Sequence, residues 1–266
     1  MHSIETLLQT ANPIDALSQL QGQVKKSPAD AKLRTLLFQL LSVLGQWERA
    51  LVQLNVAGEL AAENLAMVQA YREVINCEML RKAVFNGDKS PLVFGEPEPW
   101  IALLQESVKL NSKNLFVEAT RLRNQAFDSA PITNGVINGT SFEWISDADT
   151  RLGPILEVII NGRYYWVPFN YISEIHIEEP ADLRDLVWMP AHFVWANKGE
   201  TVGFIPSRYP YSEDSTDALI QLARKTEWKE ISENSYAGLG QRMLTTDEDD
   251  YSLFDIREIK FTPDKQ

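Results

Sequence analysis

The chain has 266 residues, 44% hydrophobic and 10% aromatic, and a formal net charge of −12. That apolar content argues against disorder, and the length accommodates two ordinary domains. The acidity is one-sided: residues 1–130 carry 13 Lys+Arg against 14 Asp+Glu, whereas residues 131–266 carry 12 against 23, a balance that repels phosphate backbones and argues against nucleic-acid and anionic-membrane binding.

The start, Met1-His2-Ser3-Ile4-Glu5, lacks the basic and apolar regions of a secretion signal. The longest apolar runs, at 36–41 and 154–160, fall far short of the roughly 20 residues that cross a bilayer. Cys77 is the single cysteine and cannot form an internal disulfide. A cytoplasmic location is expected.

Pro13 fits the first turn of a helix with Asn12 as N-cap. Within that helix Ala16-Leu17-x-x-Leu20 recurs as Ala50-Leu51-x-x-Leu54, offset by 34 residues, the tetratricopeptide period. The fuller copy spans 31–64. In it Gly45 closes the first helix, Trp47 is expected to lie largely buried between the repeat helices, and small Ala50 and Ala57 permit close approach. Arg34 and Leu41 stand where the consensus has aromatics, so two units with flanking helices are expected rather than a long solenoid. A third helix is predicted over 65–85, ending at Asn86-Gly87. An ordered turn follows at 88–99, with Pro91, Pro97 and Pro99. Two capping helices are predicted at 100–110 and 114–127.

Pro131 marks a proposed boundary, beyond which the helical period is lost. Asn161-Gly162 between 155–160 and 163–167 is a strong hairpin signal. Further strands are predicted at 172–177, 186–195, 201–205 and 252–261, and a helix at 216–225. The reading is therefore multidomain: a tetratricopeptide-like helical array over 1–130, then a small antiparallel-sheet α+β domain over 131–266.

Chemistry-bearing constellations are thin. His2, His176 and His192 are the histidines, none paired at metal-ligand spacing. Asp147-Ala148-Asp149 with Arg151 could form an acid pair or hold a cation, and a turn in which Asp contacts Arg is the plainer expectation. Asp249 and Asp250, in the acidic run 247–250, are candidates for a basic partner. Tyr164, Tyr165 and Trp166 are candidates for a contact patch, with at least one turned to the core by strand alternation. Cys77, without a nearby His, reads as packing. Neither a G-x-S-x-G nor a phosphate-binding loop occurs, and Gly238-Leu239-Gly240 lacks the rest of a dinucleotide fingerprint. No catalytic set, cofactor or metal is expected.

Several segments carry a specific resemblance: Gly45-Gln46-Trp47-Glu48-Arg49-Ala50-Leu51, Gly95-Glu96-Pro97-Glu98-Pro99-Trp100, Asp147 to Pro154, Asn161 to Phe169, Pro180 to Trp188, Pro206-x-Arg208-Tyr209-Pro210, Thr226-Glu227-Trp228 and Gly240-Gln241-Arg242-Met243-Leu244. In these the chain resembles the ImpE/TagJ (SciE-type) family over most of its length. The resemblance implies a non-enzymatic accessory role in bacterial type VI secretion. Its implied partners are a helix near the N-terminus of the small sheath subunit and the AAA+ ATPase that disassembles the sheath. Two other readings stand beside it: an enzyme using Asp147, Asp149 and His192, and an oligomeric scaffold.

Overall fold

The computed structural model describes residues 3–96 and 98–262. Met1, His2 and Pro97 lie outside that description, and with them the readings of the chain start, of His2 and of the middle of the 88–99 turn.

Among the described residues the first half holds seven α-helices: α1 (Ile4–Gln9), α2 (Pro13–Lys26), α3 (Ala31–Val43), α4 (Trp47–Leu60), α5 (Leu65–Phe85), α6 (Pro99–Ser112) and α7 (Phe116–Ser129). Their starts follow from side-chain caps. Asn12 accepts the Asp15 N–H at 3.2 Å ahead of Pro13, and Asp30 accepts the Lys32 and Leu33 N–H groups at 2.9 and 3.1 Å. Gly45, at φ 65°, turns the chain from α3 into α4. Ala16 and Leu20 on α2 and Ala50 and Leu54 on α4 are all buried, so both copies of the motif bury equivalent positions. Trp47 corrects one expectation. It is half-buried at the start of α4, and its ring packs 5.8 Å from Trp188 of the sheet.

The strands are β1 (Leu92–Val93), β2 (Gly135–Ile137), β3 (Thr140–Phe142), β4 (Ile145–Asp147), β5 (Ile155–Ile160), β6 (Arg163–Pro168), β7 (Ile172–Ile177), β8 (Trp188–Trp195), β9 (Glu200–Pro206), β10 (Thr226–Ser232), β11 (Ser235–Gly240), β12 (Met243–Thr246), β13 (Asp250–Ser252) and β14 (Glu258–Phe261). Nine of them form one sheet in the order β1-β6-β5-β9-β8-β7-β14-β2-β3. The expected small sheet is thus larger, and β1, from the predicted turn, joins it in parallel with β6. The β10–β11 hairpin and the β13-β12-β4 sheet complete the second half.

The predicted helix at 216–225 is only one turn, α8 (Ala218–Gln221). Ala223 takes φ 52° and Arg224 returns its N–H to the Leu219 carbonyl at 2.8 Å, which closes the helix. The predicted strand 252–261 is interrupted by a 3-10 turn, Leu253–Asp255, that drives Leu253 into the core.

Asn161-Gly162 forms the hairpin turn as expected, with φ 50° and 71°, and sets the register Ile160↔Arg163 through Ile155↔Pro168. Alternation then divides the sheet. Ile155, Ile159, Tyr164, Trp166 and Trp188 join the apolar core of the helices, while Leu156, Val158, Val167 and Phe193 join a second core beneath Leu244 and Leu253. Helix and sheet halves therefore share one continuous apolar cluster. All six residues of β5 are buried, as a strand covered on both faces requires. Among the described residues no helix is long and apolar enough to cross a membrane.

Candidate partner-binding groove

Glu157 lies in the middle of β5, on the face turned to the helices, and is fully buried. An isolated carboxylate there would be prohibitive, so its partners decide the local structure. Arg81 of α5 donates to it through Nε and Nη2, both at 2.7 Å. Arg242 and the Tyr164 hydroxyl also donate to Glu157, and Trp166 Nε1 donates to the Tyr164 oxygen at 2.8 Å. Arg242 bridges onward to Asp147, which also accepts the Tyr209 hydroxyl at 3.0 Å. Asp149 holds Arg151 through Nε at 2.9 Å, and Glu78 accepts from Trp188 Nε1 at 3.0 Å. Three buried arginines, Arg81, Arg151 and Arg242, thus pair with four buried carboxylates, Glu78, Asp147, Asp149 and Glu157.

Burial acts to raise the Glu157 carboxyl, yet the Arg81 and Arg242 charges outweigh it and hold the group at about 2. Burial raises Asp147 to about 7, against the pull of Arg242. Arg208 has no carboxylate bonded to it among the described residues. Instead it donates to the carbonyls of Val43 and Ser42 at 2.7 and 3.2 Å and to that of Gln221, neutralising the C-terminal ends of α3 and α8. Arg224 does the same for α1, donating to Leu8 O at 2.9 Å. These cations tie the sheet half onto the helical half.

Beside this seam the covering of the sheet stops and leaves an open groove of about 450 Å³. One wall is α5, with Ala66, Gln69, Ala70, Glu73 and Val74, positions spaced along one helical stripe. The other wall is Ile159, Asn161 and Gly162 from the β5–β6 turn and Val202, Gly203 and Phe204 from β9. β5 and β9 meet at its floor, where Ile159 pairs with Phe204. Gly162 and Gly203 let its elements approach closely: a Cβ on Gly162 would lie 2.9 Å from Glu73 Cβ, and one on Gly203 2.8 Å from the Ile159 carbonyl oxygen. Val202 is 66% exposed and the adjoining Leu65 57%, large apolar side chains placed in water beside a concave apolar surface.

A family model for "ImpE protein" matches residues 139–260. The chain is 48% identical over 259 residues to the "Type VI secretion system accessory component TagJ" of Pseudomonas aeruginosa strain PAO1, covering 97% of this chain and 91% of that protein. The chain belongs to the ImpE/TagJ family. Among solved structures, the crystal structure of protein VPA1032 from Vibrio parahaemolyticus superposes with a TM-score of 0.90 at 28% identity, over 98% of each chain.

In this ImpE/TagJ-family chain the candidates from sequence fall in three places. Tyr164 and Trp166 are fully buried beneath α5, and Tyr165 is half-buried against Phe94. They correct the reading as an exposed contact patch, because the helices cover the face to which Tyr164 and Trp166 alternate. Asp249 and Asp250 are exposed beside β13, well placed for solvent or a basic group. Asp149 contacts Arg151 in the expected turn, but Asp147 is engaged by Arg242 and Tyr209. His192 is not brought to that pair. It stands half-exposed on β8 with Glu200 at 3.3 Å. Cys77 is buried, its thiol pushed up to about 12 chiefly by burial, and it donates to Gly162 O at 3.4 Å, as packing would have it.

Sequence reasoning missed the groove and the Glu157 network. Its one available signal was a Glu inside the apolar run Ile155–Ile160, which a strand buried on both faces tolerates only with cations opposite.

Proposed function

We propose that the chain is a non-enzymatic accessory component of a type VI secretion system, working in the cytoplasm. Its groove between α5 and β9 docks an amphipathic helix from the N-terminal region of the small sheath subunit, presenting the sheath to its disassembling AAA+ ATPase. In this reading the α2–α4 helices are a tetratricopeptide-like unit that braces α5. The observation that carries it is the groove itself: its stripe from Ala66 to Val74 spans about 12 Å, or two turns of a docked helix anchored at steps of three and four. Kinship with a protein named as a type VI accessory component supports the context.

Titration calorimetry with a peptide from the sheath subunit's N-terminal region tests the reading. Binding with a negative heat-capacity change and weak salt dependence is expected. Ala70→Arg or Val202→Asp, both at exposed positions of the groove, should weaken it more than about tenfold, a change of about 1.4 kcal/mol. Reversing Asp249 and Asp250 should leave it nearly unchanged. Binding that ignores the groove variants and collapses on charge reversal would move the site to the acidic face.

A further inference from the structure

Past the groove, on the same face of the sheet, where His192 pairs with Val202, residues that the sequence keeps far apart are aligned. Pairing across β14, β7 and β8 puts Glu258, His176 and His192 in one transverse row. The His176 and His192 rings have centroids 6.1 Å apart. His176 Nδ1 lies 3.5 Å from Glu258 Oε1, while its Nε2 lies 3.0 Å from Glu174 Oε2. His192 repeats the second arrangement, with Nε2 at 3.3 Å from Glu200 Oε2. The carboxylates of Glu174 and Glu258 and a ring nitrogen of His176 all fall within 4.8 Å of one another.

We infer that this row is a binding site for a divalent transition-metal ion of the zinc or nickel class. Glu174 and Glu200 each accept the Nε2–H of one imidazole, which fixes the tautomer and leaves both Nδ1 lone pairs free. His176 Nδ1, His192 Nδ1 and the Glu258 carboxylate are the ligands, and a fourth position faces solvent, where water or a partner's side chain completes a tetrahedron.

His192 stands outside the group formed by Glu174, His176 and Glu258, so its ring has to turn toward His176 to join them. A metal–nitrogen distance of about 2.1 Å puts each ring centre about 3.2 Å from the ion, so two rings on one tetrahedral ion stand about 5.3 Å apart. The observed separation exceeds this by less than 1 Å, a gap that side-chain rotation at two half-exposed positions closes. Lys260 reaches Glu258 Oε1, the oxygen nearer His176 Nδ1, at 2.7 Å, so an ion there shares that carboxylate with the lysine. Three glutamates against this one lysine favour a divalent cation, and two imidazoles favour a transition metal over magnesium or calcium.

Calorimetric titration of the full chain with zinc chloride in a non-coordinating buffer, repeated with nickel chloride, tests the site. One ion per chain is expected, weakened at least tenfold by His176→Ala or by His192→Ala and unaffected by His2→Ala. Glu174→Gln should weaken it about 10- to 100-fold by freeing the ring. In imidazole NMR of the unaltered chain, the His176 and His192 resonances should shift together on zinc addition while that of His2 stays. Absence of saturable binding, shifts that leave either strand histidine unmoved, or stoichiometric binding that survives the double histidine variant would each overturn the proposal.

Discussion

Glu157→Gln removes one charge and almost no volume from the seam between helices and sheet. The carboxylate is fully buried and accepts two hydrogen bonds from Arg81 at 2.7 Å, as well as bonds from Arg242 and Tyr164. A glutamine offers only one acceptor oxygen, so its amide N–H groups must face donors. Arg81 and Arg242 are also left facing an uncharged amide. Removing one partner from a buried, hydrogen-bonded ion pair costs roughly 3–5 kcal/mol. For a chain of this size that corresponds to a fall of about 6–20 °C in Tm. Urea denaturation near pH 7.5, followed by far-UV circular dichroism, should show a lower midpoint at an unchanged slope. In a double-mutant cycle with Arg81→Met, a coupling of about 1–3 kcal/mol is expected for groups in direct contact. A loss below about 1 kcal/mol for Glu157→Gln, the worth of an exposed pair, would refute the claim that this network fastens the two halves.

Asp147 gives the molecule a pH dependence. Its carboxyl is raised by burial from 3.8 to about 7, so the folded chain keeps a proton that the unfolded chain has lost, and stability falls as pH rises through that window. Urea midpoints measured from pH 4 to 7 should decline in the parent chain and decline less steeply in Asp147→Asn, where Glu78, also raised by burial, still contributes; an equal slope in both would contradict the assignment. Glu157, held at about 2 against an ordinary 4.5, contributes in the opposite sense, its stabilisation being lost only as pH falls below about 4.5. Trp188→Ala should cost about 3–5 kcal/mol, because its buried ring packs 5.8 Å from both Trp47 and Tyr71 and its Nε1 donates to Glu78. A urea-derived loss under about 1 kcal/mol would show that the seam is not packed around it.

The helical half was legible because its signals are local. Asn12, Pro13, Asp30 and Gly45 act within one turn of themselves, and the 34-residue offset needs no tertiary information. The hairpin at Asn161-Gly162 was legible for the same reason. Strands β2 to β4 were not, being three residues each and held in place by pairing partners elsewhere in the chain: β2 beside β14, and β4 beside β12. Trp47 was misplaced because its partner, Trp188, lies in the other half. The groove and the histidine row were hidden for a related reason. Each is a product of strand pairing: Ile159 beside Phe204, and His176 beside His192. By contrast, the segments that resemble the ImpE/TagJ family supply Asp147, Asp149, Arg151, Arg208, Tyr209 and Arg242, which the structure gathers around Glu157. Motif recognition found those residues without revealing that their common task is to neutralise a buried seam.

Amide hydrogen exchange on the full chain, with and without the small sheath subunit, tests the docking groove most directly. Added protection is expected along residues 65–74 of α5, at the 160–162 turn and at 201–204 of β9, the segments that line the opening. Protection confined to residues 247–251, or none anywhere while the two proteins demonstrably bind, would contradict the groove as the site of docking.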